Sequence, residues 1–190
     1  MKSTNWLQFS WDLNALPHAE AELPEHYQIS IATPDDEKEF RRVISSSFTL
    51  DPTWNPTMKE VTQTIDGWLD DASEEKTSVH LALRHGTRII GAAVVSVDPA
   101  AENHLSPGPC ILMEYRNRGF GTRLLERSLA TLREAGLPRA CAIAKENSPV
   151  TKFLYTKFNS SQAPFDFSSA RDGGEKTPRP LRALSASQVG

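Results

Sequence analysis

Long apolar runs are missing from this sequence, and no stretch approaches the roughly 18 residues of a membrane-spanning helix. Cysteine is scarce. Cys110 and Cys141 stand in apolar surroundings, without metal-ligand spacing and with no secretory signal ahead of them. They read as reduced core residues, and no metal site is expected. A basic excess is absent too: 21 Lys and Arg stand against 24 Asp and Glu, for a net charge of −3. That argues against a nucleic-acid binder, which would usually show a basic face. Internal repeats are also lacking. The expectation is a soluble, cytoplasmic chain of 190 residues with one domain and no nucleic-acid or membrane partner.

What is present is periodic. Residues 1–26 carry Trp6, Phe9 and Trp11 but read as an arm packed on the domain. Gln28 to Ile31 alternates as a strand, and Thr33-Pro34-Asp35-Asp36 reads as a capped helix start that continues through Phe40, Val43, Ile44 and Phe48. A proline-rich loop at 51–56 leads to a second helical pattern through Val61, Ile65, Trp68 and Leu69. Val79 to Leu83 and Arg88 to Val97 flank His85-Gly86-Thr87 as a hairpin. After a loop at 98–109, Cys110 to Met113 is a short strand, and a long amphipathic helix follows with Phe120, Leu124, Leu125, Leu129 and Leu132 on one face. Gly136 ends that helix. Ala140 to Ala144 is a strand, Ser148-Pro149 opens a last helix with Phe153, Leu154 and Phe158 on its apolar side, and Phe165 and Phe167 mark an edge strand. Residues 169–190 read as a flexible tail.

The chemistry concentrates in "EYRNRGFGTRLLE", residues 114–126, where Arg116, Arg118, Gly119 and Gly121 form R-x-R-G-x-G at a helix entrance. Unpaired backbone N–H groups and the positive end of the helix dipole make such an entrance an anion site, and glycine lets ligand oxygens approach the backbone. A nucleotide-hydrolysing phosphate loop would need Lys-Ser or Lys-Thr after the glycines, and none follows. A dinucleotide fingerprint would need a third glycine where Leu124 stands. The pyrophosphate of coenzyme A is the third candidate. The competing bland reading is a tight turn with solvated arginines.

"YRNRGFGTRLL" resembles the acetyl-CoA-binding signature R/Q-x-x-G-x-G/A of the GNAT superfamily of N-acetyltransferases, with Arg116, Gly119 and Gly121 in the signature positions. "ENSPVTKFLYTKF" downstream is similar to that family's final helix, and the resemblance covers roughly residues 27–168. It implies an α/β (α+β) fold: a single domain with a mixed, mostly antiparallel central sheet flanked by about four helices. It implies acetyl-CoA as co-substrate and no metal. The backbone of Ile111, Leu112 and Met113 would then pair with the pantetheine arm, and N–H groups of Asn117, Arg118, Gly119, Phe120, Gly121 and Thr122 would hold the pyrophosphate with Arg116 or Arg118. Asn147 would contact the arm, or Ser148 would, since the spacing from Asn147 to Tyr155 is eight where seven is usual. Tyr155 would sit near the sulfur as the acid for the leaving thiolate.

Ala142 falls where some members of that family carry a glutamate base. The base is sought among Glu114, His104, Glu102 and Glu146, or in a water chain, with Glu114 nearest the motif. For the acceptor, Asp51, Trp54, Asp66, Asp70 and Asp71 offer acids beside an aromatic, which suits a cationic amine. The resulting expectation is an N-acetyltransferase of a small-molecule or peptide amine, working as a monomer or homodimer. The alternative is an acyl-CoA-binding sensor with little or no catalysis.

Overall fold

The computed structural model describes residues 5–49, 63, 66–67, 69–72, 74 and 76–166. The expected loop at 51–56, the positions Val61, Ile65, Trp68 and Phe167, and the expected tail at 169–190 lie outside the described residues. Leu69, the described apolar position of the second helical pattern, is helical and buried.

Four antiparallel strands, β2 (Tyr27–Ile31), β3 (Ser78–His85), β4 (Arg88–Ser96) and β5 (Cys110–Ile111), form one sheet in that order. The β3–β4 hairpin turns at Gly86, whose φ of 59° lies in the left-handed region that glycine enters without strain. Two helices cover the sheet. On one face, α1 (Glu37–Thr49) packs against β4 and β5, and Phe40 stacks on His80 with ring centroids 5.3 Å apart. His85, an odd number of residues further along β3 and so on the other face, stacks on Tyr27. Tyr27 in turn meets Phe120 at the start of α2 (Phe120–Glu134). The helical periodicity of α2 is realised as expected, with Leu124, Leu125, Leu129 and Leu132 fully buried. Its end is also as expected: Gly136 adopts φ 88°, and the Leu137 N–H reaches back to the Leu132 carbonyl.

A second, three-stranded sheet has the order β6 (Arg139–Lys145), β1 (Trp6–Asp12), β7 (Ser161–Phe165). Residues 6–12, read from sequence as part of an arm, are therefore its middle strand, antiparallel to both neighbours. Phe9 stands opposite Ala142 and Trp11 opposite Ala140. Both aromatics are fully buried, and alanine across the ladder leaves room for them. On the outer face Trp6 packs with Ile143 and Phe165.

The two sheets meet through residues 98–109, which the sequence leaves as a loop without periodicity. In the structure this segment is tied down on both sides. Leu105 bridges to Val95, and the Ser96 N–H donates to the His104 carbonyl. On the β6 side the His104 N–H donates to the Cys141 carbonyl (2.7 Å), and the Cys141 N–H donates to His104 Nδ1 (2.9 Å).

The start of α1 is held by a half-buried ion pair. Both Asp36 carboxylate oxygens receive the Arg84 guanidinium, at 3.0 and 2.6 Å, and Oδ2 also accepts the Thr33 N–H. The Arg84 fork, the first cause, and the Thr33 N–H hold the Asp36 carboxyl well below the usual carboxylate range. A depressed acid stabilises the fold above its unfolded pKa, about 3.9, and this contribution is lost as pH falls below that value. Asp36→Asn should lower stability near neutral pH by roughly 1.5 kcal/mol, because it removes charge-assisted hydrogen bonds from the Arg84 guanidinium. Thermal melts from pH 7 to pH 3 should show a shallower acid loss in the variant than in the wild type.

Candidate active site

The sequence motif forms a short turn and a helix entrance. Met113–Tyr115 is one 3-10 turn, Asn117 takes φ 59°, and Gly119, the N-cap of α2, takes φ 82°. No side chain caps the helix, so its first N–H groups have no partner from the cap. The left-handed Gly119 followed by helical Phe120 turns successive N–H groups toward one point, the geometry of a backbone anion nest.

The two signature glycines are there for different reasons. A Cβ on Gly119 would meet nothing within 4 Å, so its backbone angle demands glycine. Gly121 has no such angle, and a Cβ there would touch Leu154 and Ile111 at an ordinary 3.8 to 3.9 Å. The fold therefore does not require glycine at 121. The space over its backbone is open enough for a ligand's oxygens to approach it.

Gly121 thus marks the place where α2, β5 and the end of α3 (Pro149–Phe153) converge. Among the described residues, the outer edge of β5 meets no strand. The Leu112 N–H donates to the Ile90 carbonyl on the β4 side. Since opposed pairs alternate, Ile111, one position earlier, turns its N–H and C=O away from β4 toward the open edge. Its carbonyl accepts Arg116 Nε at 2.9 Å. The carbonyls of Leu112 and Met113 accept the N–H groups of Tyr115 and Arg116 within the turn. Of the three residues expected to pair with a pantetheine arm, Ile111 turns its N–H toward the open edge, and the carbonyls of Leu112 and Met113 are engaged within the turn. The two arginines also divide their work. Arg116 secures the end of β5, and Arg118 lies over the Tyr115 ring at 5.7 Å.

Beside the chain that leads into β5 stands Tyr155. It lies just beyond α3, which is shorter than the periodicity suggests: Phe153, expected on the apolar side, is 73% exposed. Tyr155 is 3% exposed and wedged between Phe9 and Trp11, with ring centroids 5.5 Å from each. A Cβ on Gly108 would overlap its hydroxyl, so this oxygen occupies the space beside the chain leading into β5. Burial pushes its pKa well above the ordinary tyrosine value.

Among known families, the acetyltransferase (GNAT) family matches residues 38–159. The chain belongs to the GNAT acetyltransferase family. Among solved structures, a GCN5-related N-acetyltransferase from Sphaerobacter thermophilus aligns at TM-score 0.62 and 16% identity over 85% of this chain and 49% of its own. A GNAT-family acetyltransferase from Colwellia psychrerythraea aligns at 0.57 and 14% over 85% and 54%. A GNAT-family acetyltransferase from Brucella melitensis, solved with acetyl-CoA, is 26% identical over 59% of this chain and 71% of its own, at TM-score 0.46. The chain spans only about half the length of the Sphaerobacter and Colwellia proteins. No curated protein matches it. The single-domain α+β GNAT fold expected from the sequence is what the structure shows, with its described strands in two antiparallel sheets where one mixed central sheet was expected.

The remaining candidates are scattered across this GNAT domain. Glu114 is bound by Arg88 at 3.0 Å, and its pKa is lowered, first by a hydrogen bond to its own backbone and then by Arg88. It lies beside the start of β4, whereas Tyr155 reaches the chain that pairs near Val94, so the structure does not bring the two expected catalytic residues together. His104 is not on a flexible loop: it is buried, desolvation lowers its pKa, and its Nδ1 lone pair is taken by Cys141. Glu102 and Glu146 are exposed, and Glu146 accepts Asn5 Nδ2. Ser148 caps α3 through the Thr151 N–H, and Asn147 is exposed beside it.

On the acceptor side, Asp51 and Trp54 lie outside the described residues. Asp66 and Asp70 are engaged by Arg41 (3.5 and 2.6 Å), and Asp71 is exposed. Arg41 also lines a cavity of about 390 Å³ with Glu37, Phe40, Leu69 and His80, on the α1 face away from the helix-entrance motif. The sequence reading had missed Phe9, Trp11 and Gly108 as neighbours of Tyr155.

Coenzyme A at about 100 times its Kd should stabilise the protein by about 2.7 kcal/mol, visible as a rise in Tm. Gly121→Val should fold, because contacts there are ordinary, yet lose that rise. A melt of the variant showing a full coenzyme A shift would remove the motif from cofactor binding.

Proposed function

We propose that the protein is an acetyl-CoA-dependent N-acetyltransferase acting on a primary amine of a small molecule or peptide by direct attack on the thioester. The observation that carries this reading is Gly121, a glycine the fold does not need, at the junction of an uncapped helix start and the open edge of β5. The residues fit the co-substrate. Backbone N–H groups between Gly119 and Thr122 suit its pyrophosphate, with Arg118 beside them, and the N–H of Ile111 offers the arm a strand-like partner. Acetyl-CoA supplies the activated acyl group.

The chain's own part in the chemistry centres on the Tyr155 hydroxyl. It donates to the sulfur as negative charge builds there, in a dry setting where a hydrogen bond to charge is strong. Its raised pKa keeps it protonated throughout the working range. Ala142, opposite Phe9, leaves no carboxylate at that position of β6, and Glu114 is held by Arg88. With neither position offering a base, in this reading the attacking amine loses its proton to water, which needs only a small neutral fraction of amine.

A thiol-release assay with acetyl-CoA against polyamines, aminoglycosides, amino-acid amides and short peptides tests the reading. Turnover on an amine supports it. Tight coenzyme A binding with no turnover on any amine would instead assign an acyl-CoA sensor. Tyr155→Phe should reduce kcat by about 10²-fold with coenzyme A affinity nearly unchanged. Because burial raises the Tyr155 pKa above its ordinary value near 10, wild-type kcat should show no alkaline loss from this group below about pH 10.

A further inference from the structure

The N-terminal strand does more than complete a sheet. Phe9 and Trp11 of β1 project on one face, two positions apart, and both meet the Tyr155 ring edge-on, at interplanar angles of 61° and 85°. Trp11 makes a second, polar contact: its Nε1–H donates to the carbonyl of Lys157 at 2.9 Å, two residues beyond Tyr155. One side chain therefore braces both the ring and the backbone that follows it. The backbone on the other side is fixed by the Tyr155 N–H, which donates to the Val150 carbonyl at 2.8 Å, and by Ser160 Oγ, which donates to the Tyr155 carbonyl. The hydroxyl then ends where a Cβ on Gly108 would lie. An aromatic ring is rigid, so shifting it along its own axis moves its hydroxyl by the same amount.

We infer that Trp11 is a positioning residue for Tyr155: β1 sets how far the phenol reaches beside Gly108, on the chain leading into β5. This rests on the proposed role of Tyr155 as proton donor. Trp11 touches neither cofactor nor acceptor in this scheme and acts only through the tyrosine. Loss of Trp11 must therefore cost nothing further once the Tyr155 hydroxyl is gone.

The test is a double-mutant cycle of the wild type, Trp11→Leu, Tyr155→Phe and the double variant, measured as acetyl-CoA turnover with the best amine of the panel and as coenzyme A Kd. Trp11→Leu is expected to reduce kcat by about 10²-fold, as a misplacement of ~1 Å does, with coenzyme A Kd within about threefold of wild type. The double variant should be no slower than Tyr155→Phe alone. Equal fractional losses from Trp11→Leu in both backgrounds would overturn the inference and mark Trp11 as general packing. Wild-type kcat in Tyr155→Phe would defeat the role of Tyr155 itself, a different result. Trp11→Phe keeps an aromatic edge but no N–H for the Lys157 carbonyl, and it is read in the same cycle should Trp11→Leu fail to fold.

A parallel measurement needs no acceptor. With ¹³Cζ-tyrosine labelling, the three tyrosines give three signals, and Tyr155 is assigned from Tyr155→Phe. Coenzyme A should shift that signal in the wild type and not in the Trp11 variant, although both bind the ligand. An equal shift in both proteins contradicts positioning by Trp11. A signal unmoved in the wild type removes Tyr155 from the site.

Discussion

Two sheets that touch at one end and part at the other make this site, and the hinge of that arrangement is the pairing of His104 with Cys141. The His104 backbone N–H and Cys141 carbonyl form one bond, but the return bond from the Cys141 N–H goes to the imidazole and not to a carbonyl. Asn103 Oδ1 repeats the device at longer range, accepting the Ile143 N–H at 3.4 Å. Side chains standing in for backbone join the strands without a ladder. A few residues later β5 follows β4, β6 follows β1, and the edge of β5 is left open. A buried His104 must stay neutral to accept that bond, which is also why it is unsuited to take a proton from an amine.

The open edge is then shaped from three directions. The uncapped start of α2 brings unpaired donors, Arg116 fastens the end of β5, and β1 delivers the aromatic walls around Tyr155. Glycine sets the clearances. At Gly91 a Cβ would stand 3.2 Å from the Cys110 carbonyl, so any side chain there would crowd the pairing of β4 with β5. Gly108 leaves room for the Tyr155 phenol.

Much of this was legible in the sequence because it is local. The α2 helix, its Gly136 end, the Gly86 hairpin and the helix-entrance motif each depend on neighbours a few residues away, and each stands where the pattern puts it. The strand β1 also carried a signal that was passed over: Leu7, Phe9, Trp11 and Leu13 alternate, as a strand buried on one face should. Its place between β6 and β7 was not legible, since pairing partners more than 125 residues away leave no local trace. The same distance explains the short α3. Helical spacing through Leu154 and Phe158 is real, but Phe9 and Trp11 draw Tyr155 into the core just past Phe153, and tertiary packing overrides the period. Glu114 misled for a different reason: adjacency in sequence to the motif says nothing about Arg88 across the sheet.

The central place of β1 also imposes an order of assembly. The β2–β5 sheet with α1 and α2 draws on a continuous middle stretch of chain, so its contacts close modest loops. The second sheet joins residues 6–12 to 139–145 and 161–165, among the most distant pairings in the described chain. Such closures come late, because the entropy of bringing distant segments together must be met before their contacts form. During synthesis the first strand emerges long before either partner and must wait, with Trp6, Phe9 and Trp11 unsatisfied, until nearly the whole domain has left the ribosome. The anion nest at the α2 entrance can therefore exist in a chain whose tyrosine is not yet housed, and the joining of the two ends of the domain is the event that completes the pocket.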